Sequence, residues 1–173
     1  SDDTRLRAAL PTIQALTAAA QGLTAVPPVV CHGALRTDQW LITKGPTPSG
    51  PPEQLMLIDL DTLCLANPAC DLSNCLAYLA WKALRQPQHA AFIHAAEAAL
   101  LAGYAMMQPL PPAEWLALYR AVTLLKIAGR RFRSLTYREW ALIPQLMQAA
   151  RTIVETTLQE YHDASNDAHV SRA

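Results

Sequence analysis

From Asp71 onward the apolar residues recur at helical spacing almost without a break, and this periodicity constrains the chain more than any other feature of it. Leu72, Cys75, Leu76 and Leu79 share one face of a helix expected from Asp71 to about Ala83, with the Asp71 carboxylate placed to cap it. Further helices are expected over 88 to 107, 111 to 134 and 137 to 161. The second of these opens at Pro111-Pro112, where a missing N–H is tolerated. Upstream, Leu6, Leu10, Ile13, Leu16 and Ala20 mark a helix over 3 to 22, with Pro11 as a kink and Gly22 as its end. About five helices in 173 residues, half of them hydrophobic, suit one well-filled core. The expected division is a single unit over 1–161 and a polar, frayed tail over 162–173.

Short β-branched and apolar runs interrupt the helical pattern. Val29-Val30-Cys31, Trp40 to Thr43 and Leu55 to Ile58 are too brief for helices and read as strands. Residues 44 to 54, rich in proline and glycine, join the last two as a hairpin. The expected fold class is therefore α+β and mostly helical, with a small β-hairpin platform.

Composition excludes several classes. Net charge is zero and charged residues are sparse, so nothing in the bulk electrostatics attracts nucleic acid or an anionic membrane. The apolar run Ala95–Met107 is interrupted by Glu97 and falls short of the ~20 residues a membrane span requires. The opening Ser1-Asp2-Asp3 is unlike a signal peptide, so the expected location is cytoplasmic. Cys31, Cys64, Cys70 and Cys75 form no CxxC pair and read as buried free thiols, ahead of a zinc site built from the last three.

Two segments place polar residues directly after strands, where a rigid support can hold them: His32-Gly33-Ala34 to Gln39, and Asp59-Leu60-Asp61 to Asp71. In order, HG at 32, DQ at 38, ID-D from 58 to 61, NP at 67 and DL at 71 resemble the paired signature of the aminoglycoside phosphotransferase and choline kinase superfamily. That signature reads H-G-D-x-x-x-x-N, then I-D-x-D and G-D-P-x-x-D-L, akin to the catalytic and metal loops of protein kinases. The resemblance implies a protein-kinase-like C-terminal lobe, ATP or GTP and Mg²⁺ as cofactors, and phosphoryl transfer to a small-molecule hydroxyl on a sugar, aminoglycoside or amino alcohol.

Carried over residue by residue, His32 and Gly33 match the catalytic loop, and Asp59 falls on the metal-binding aspartate. Asp71 falls on the aspartate that anchors the following helix. The catalytic aspartate itself falls on Ala34, whose methyl group can neither accept a proton nor orient a hydroxyl, so impaired catalysis is expected. The metal-loop asparagine falls on Gln39, whose amide oxygen still reaches a cation on a longer arm. Asp61 is either an auxiliary metal ligand or a cap for neighbouring amides. Asp38 is the nearest carboxylate that would stand in for the base, but it lies four residues along. No GxGxxG occurs, and Lys44, Lys82 and Lys126 sit in a loop or in helices, so the N-terminal lobe has no counterpart here. That lobe is expected from further chain or from a partner, and the uncovered upper surface invites homo-oligomerisation or a scaffold role as a pseudokinase.

Simpler roles stand beside these. His32 suits a hydrogen bond to a backbone carbonyl, and the four tryptophans suit the core or a groove. Lys126, Arg130 and Arg133 share one helix face within the only basic run, which reads either as a solvated stripe or as contacts for a phosphorylated ligand or acidic partner.

Overall fold

The computed structural model of the protein describes residues 7–43, 54–134 and 137–158. Among these the order is α1 (Leu10–Gly22), β1 (Val29–Cys31), β2 (Trp40–Thr43), β3 (Gln54–Leu57), a 3-10 turn (Leu60–Thr62) and β4 (Cys64–Ala66). Then follow α2 (Ala69–Arg85), α3 (Ala90–Met107), α4 (Ala113–Arg133) and α5 (Ile143–Ile153), the last running into a π-helical turn at Val154–Leu158. The mostly helical α+β class is as expected, with five α-helices among the described residues. The expected tail over 162–173 lies outside them, and so does the expected loop over 44 to 54 apart from Gln54, which opens β3.

The core is centred on α4. Its Ala117, Ala121, Leu124 and Ala128 recur at helical spacing and are buried, and the three alanines let α2 and α5 approach closely. Leu124 meets Ile143 and Leu146 of α5 in one cluster, all three fully enclosed. Leu16 and Ala19 bring α1 into the same cluster, and the Trp115 indole N–H donates to the Thr24 carbonyl at 2.8 Å, tying down the exit of α1. Buried Glu139 pairs with Arg85 of α2 at 3.3 Å and with Arg131 of α4 at 3.1 Å, so two partners share one desolvated carboxylate. The Arg131 guanidinium also lies 4.4 Å from the centre of the Trp81 ring.

Several expectations are corrected. The expected hairpin is present as β2 paired antiparallel with β3, but it is not the whole platform: a second ribbon pairs β1 with β4, a strand that the sequence pattern does not reveal. In the β1–β4 register Val29 lies opposite Ala66 and Cys31 opposite Cys64. Pro11 occupies the first turn of α1, where proline is accommodated, and so starts a helix instead of kinking one. Pro144 does the same for α5, and residues 137 to 142 ahead of it form a 3-10 helix where continuous α-helix was expected. Cys64 is exposed, because β4 lies in a two-stranded ribbon with an open face. Finally, the helical run Pro87–Met107 is 21 residues long and by length and composition passes as a membrane span, since it begins earlier than the apolar run alone suggested. In this fold Glu97, midway along it, is ion-paired to Arg120 of α4 at 2.7 Å.

Because Leu124 is enclosed on all sides, Leu124→Ala is expected to lower unfolding free energy by about 3 kcal/mol. Urea denaturation followed by circular dichroism measures it, and a loss under about 1 kcal/mol would move the centre of the core elsewhere.

Candidate active site

The two polar segments meet. His32 follows β1 and is 4% exposed, with its ring Nε2 3.0 Å from the Ile58 carbonyl oxygen, just ahead of Asp59. A carbonyl only accepts, so Nε2 carries the proton. The Thr62 hydroxyl donates to the His32 carbonyl at 2.7 Å. The carboxylate of Asp71 takes the His32 N–H at 2.6 Å and the Gly33 N–H at 3.0 Å, one on each oxygen. Asp71 therefore sits in the first turn of α2 and reaches outward to the loop. The expected capping of its own helix is not what it does: α2 begins at Ala69, whose N–H is taken by the Asn67 side chain at 2.9 Å. Gly33 has φ 84°, and a side chain there would run into the Thr62 carbonyl, so only glycine fits between the two loops.

Gln39, 3% exposed, joins the loops a second time. Its backbone carbonyl accepts from the Ile58 N–H at 3.1 Å, and its side-chain Nε2 donates to the Asp59 carboxylate at 2.7 Å. Its Oε1 accepts the Arg36 N–H at 2.7 Å. Asp59 itself has φ 66°, the one non-glycine residue with left-handed backbone among those described, a conformation aspartate tolerates better than most. Its side chain is half exposed, with the Arg36 guanidinium 3.9 Å away.

Ala34 and the segment after it are held by α2: the Asn74 amide donates to the Leu35 carbonyl at 2.6 Å. Ala34 opens onto a cavity of about 470 Å³ shared with Arg36, Asn74, Lys126, Arg130 and Arg133. Asp38 is exposed and faces Arg36 at 3.3 Å, which offers it a partner other than a substrate hydroxyl.

For a divalent cation the chain offers limited donors. Among the described residues no three His, Cys, Asp or Glu side chains gather as a metal site. One Asp59 oxygen is taken by Gln39, and the Gln39 oxygen faces Arg36, which leaves the other Asp59 oxygen and the exposed Asp61. Such a set suits Mg²⁺ in the manner that ion usually adopts, one or two carboxylates with phosphates and water filling the remaining positions. The sequence missed Arg36 and Asn74. Arg36 fills an unspecified position within the first signature and Asn74 follows the last one, so neither has a distinctive spacing that would have flagged it.

The thiols near this junction differ. Burial, and then the nearby Asp71 carboxylate, push the Cys31 thiol up to about 11 and the Cys75 thiol up to about 12, and Cys70 is also raised by burial. A raised thiol stays protonated and inert below its own pKa. At pH 8 a chromogenic disulfide is therefore expected to modify exposed Cys64 quickly, and Cys31 and Cys75 only after denaturation; rapid reaction of all four would contradict the packing of this junction. Asp71→Asn removes one of two charge-assisted bonds and sets an amide against the other N–H, so a loss of about 2 kcal/mol or more in unfolding free energy is expected by urea titration. A change within about 0.5 kcal/mol, the range of an ordinary surface substitution, would mean that Asp71 does not hold the loop.

Residues 2–110 match the model of the phosphotransferase enzyme family, well over half of the chain and both loops of the junction. No curated protein and no solved structure matches. With the ordered HG, ID-D, NP and DL residues brought together as that signature requires, the chain belongs to the phosphotransferase enzyme family.

Proposed function

We propose that this chain is the acceptor-side, C-terminal lobe of an aminoglycoside phosphotransferase-like enzyme that has lost its proton acceptor but kept its cation-facing carboxylate. The observation that carries the reading is the contrast between the two loop tips. Asp59 is held in a left-handed conformation by Gln39 and keeps one oxygen unengaged, whereas position 34 offers only a methyl group to the adjoining cavity. When bound, Mg²⁺ would neutralise charge on the β- and γ-phosphates of ATP or GTP. Asp59 would hold it, with Asp61 as an auxiliary donor. Gln39 acts by fixing the Asp59 rotamer, and His32 by fixing the backbone ahead of Ala34 through its bond to Ile58.

An interaction role is the second reading, supported by the strand ribbons. Val30, Ile42, Leu55 and Leu65 are each at least 60% exposed, with Leu41, Met56 and Leu63 about half exposed. An apolar surface on this scale marks a docking face. Its fitting occupant is an upper lobe, from a longer chain or a partner, that also supplies the nucleotide clamp, in a cytoplasmic setting.

A missing base costs about 10²–10⁴-fold in rate. From a mid-range ~10 per second for active kinases, wild-type turnover with Mg²⁺-ATP and a panel of small hydroxyl compounds is expected at or below about 10⁻¹ per second. Ala34→Asp is expected to raise any measurable turnover by about 10²-fold or more. Nucleotide stabilisation that depends on Mg²⁺ should disappear in Asp59→Ala, read as a thermal shift. Wild-type turnover near 1 per second would refute the loss of the base, and an unchanged thermal response in Asp59→Ala would refute its role toward the cation.

A further inference from the structure

The cavity beside Ala34 carries an electrostatic signature that the phosphoryl-transfer reading does not use. Lys126, Arg130 and Arg133 lie at i, i+4 and i+7 of α4, so they project from one face, and all three line this cavity with Arg36. No aspartate or glutamate lines it. Five other arginines are matched: Arg85 and Arg131 by Glu139, Arg120 by Glu97, Arg151 by Glu155, and Arg36 in part by Asp38 and Asp59, while Lys82 and Arg138 have no carboxylate partner among the described residues but do not line this cavity. Among the described residues, Lys126, Arg130 and Arg133 have no carboxylate within 4.0 Å.

Like charges four apart on a helix repel, so this stripe opposes the fold unless something negative faces it. Among the described residues, three cations without a carboxylate partner gather at this one concavity. An aspartate at position 34 would place a negative charge in the same lining; alanine leaves the positive potential whole. The volume, about 470 Å³, is that of a small-molecule site. Guanidinium forks match the paired oxygens of phosphate and carboxylate groups, and a lysine ammonium adds a third donor set. The α4 cations lie beyond residue 110, outside the span that matches the family model.

We propose that this cavity binds a small anionic molecule, a sugar-sized compound bearing a phosphate or equivalent oxyanion. Arg130, Arg133 and Lys126 hold the anionic group, and Arg36 and Asn74 border the body of the ligand. The inference rests on the reading of this cavity as the acceptor side, and it excludes polycationic acceptors of the aminoglycoside type, which the lining repels.

Binding is measured by calorimetry on the full chain without nucleotide, using ribose 5-phosphate, inorganic phosphate, glucuronate, ribose and spermidine as probes. Ribose 5-phosphate is expected to bind at least about tenfold more tightly than ribose, and more weakly as salt rises, with spermidine not binding. Inorganic phosphate matching ribose 5-phosphate would assign recognition to the oxyanion alone, while glucuronate matching it would extend the site to carboxylates; both support the proposal. The double variant Arg130→Ala/Arg133→Ala is expected to weaken ribose 5-phosphate by about tenfold or more, and Ala34→Asp to weaken it as well. Arg138→Ala, an exposed cation outside the cavity lining, should leave it unchanged. These cations are exposed, so unchanged thermal unfolding checks that the variants fold.

Equal affinity for ribose and ribose 5-phosphate, binding of spermidine, an equal effect of Arg138→Ala, or no binding by any probe overturns the proposal. Because no nucleotide is present, such a failure leaves the Asp59 reading standing, and failure of the Asp59→Ala test leaves the anion site standing.

Discussion

One carboxylate holds the functional region together. Asp71 stands in the first turn of α2 and takes two consecutive backbone N–H groups from the loop that follows β1. Consecutive amides can point at one carboxylate only if the chain turns sharply between them, which Gly33 allows by adopting a positive φ. The direction of residue 34 follows from that turn. So does the proximity of His32 to Ile58, and through it the placement of Asp59. The helix, the loop after β1 and the turn at Asp59 thus behave as one unit, anchored to the well-packed helical core.

That unit has two chemically opposite sides. Toward Asp59 and Asp61 the exposed groups are carboxylates, suited to a cation with phosphates around it. Toward Ala34 the lining is cationic. Arg36 stands between them, 3.3 Å from Asp38, 3.9 Å from Asp59 and 5.8 Å from the centre of the Tyr78 ring, while also lining the cavity. A single guanidinium therefore senses both sides. The residue at position 34 also bears on the charge balance of the cavity into which it opens, and alanine adds no charge there.

The distribution of apolar surface follows the same division. Around α4 the helices close completely, with Leu124, Ile143 and Leu146 sealed from solvent. The two ribbons carry apolar residues that remain uncovered, and α3 leaves Phe92, Met106 and Met107 exposed. A two-stranded ribbon has little stability without a packed face. Hydrogen bonds from Asp71 and Asn74 join the loop after β1 to α2.

The residues alone determined the helical bulk of the fold, because a 3.6-residue apolar period needs no tertiary information to be read. They also identified the chemical character of the two loops, since His-Gly, Ile-Asp and Asp-Leu lie at recognisable intervals, with alanine at position 34. Strand β4 was not legible: a three-residue run has no period, and it forms only because β1 is available to pair with it. Nor was the outward reach of Asp71, which depends on where the preceding loop passes. The cationic stripe on α4 was visible as spacing, but that it faces Ala34 across a cavity was decided by helix packing, which brings together residues about ninety positions apart. Local periodicity is written in the chain; the meeting of distant side chains in one concavity arises only once the core has set the helix positions.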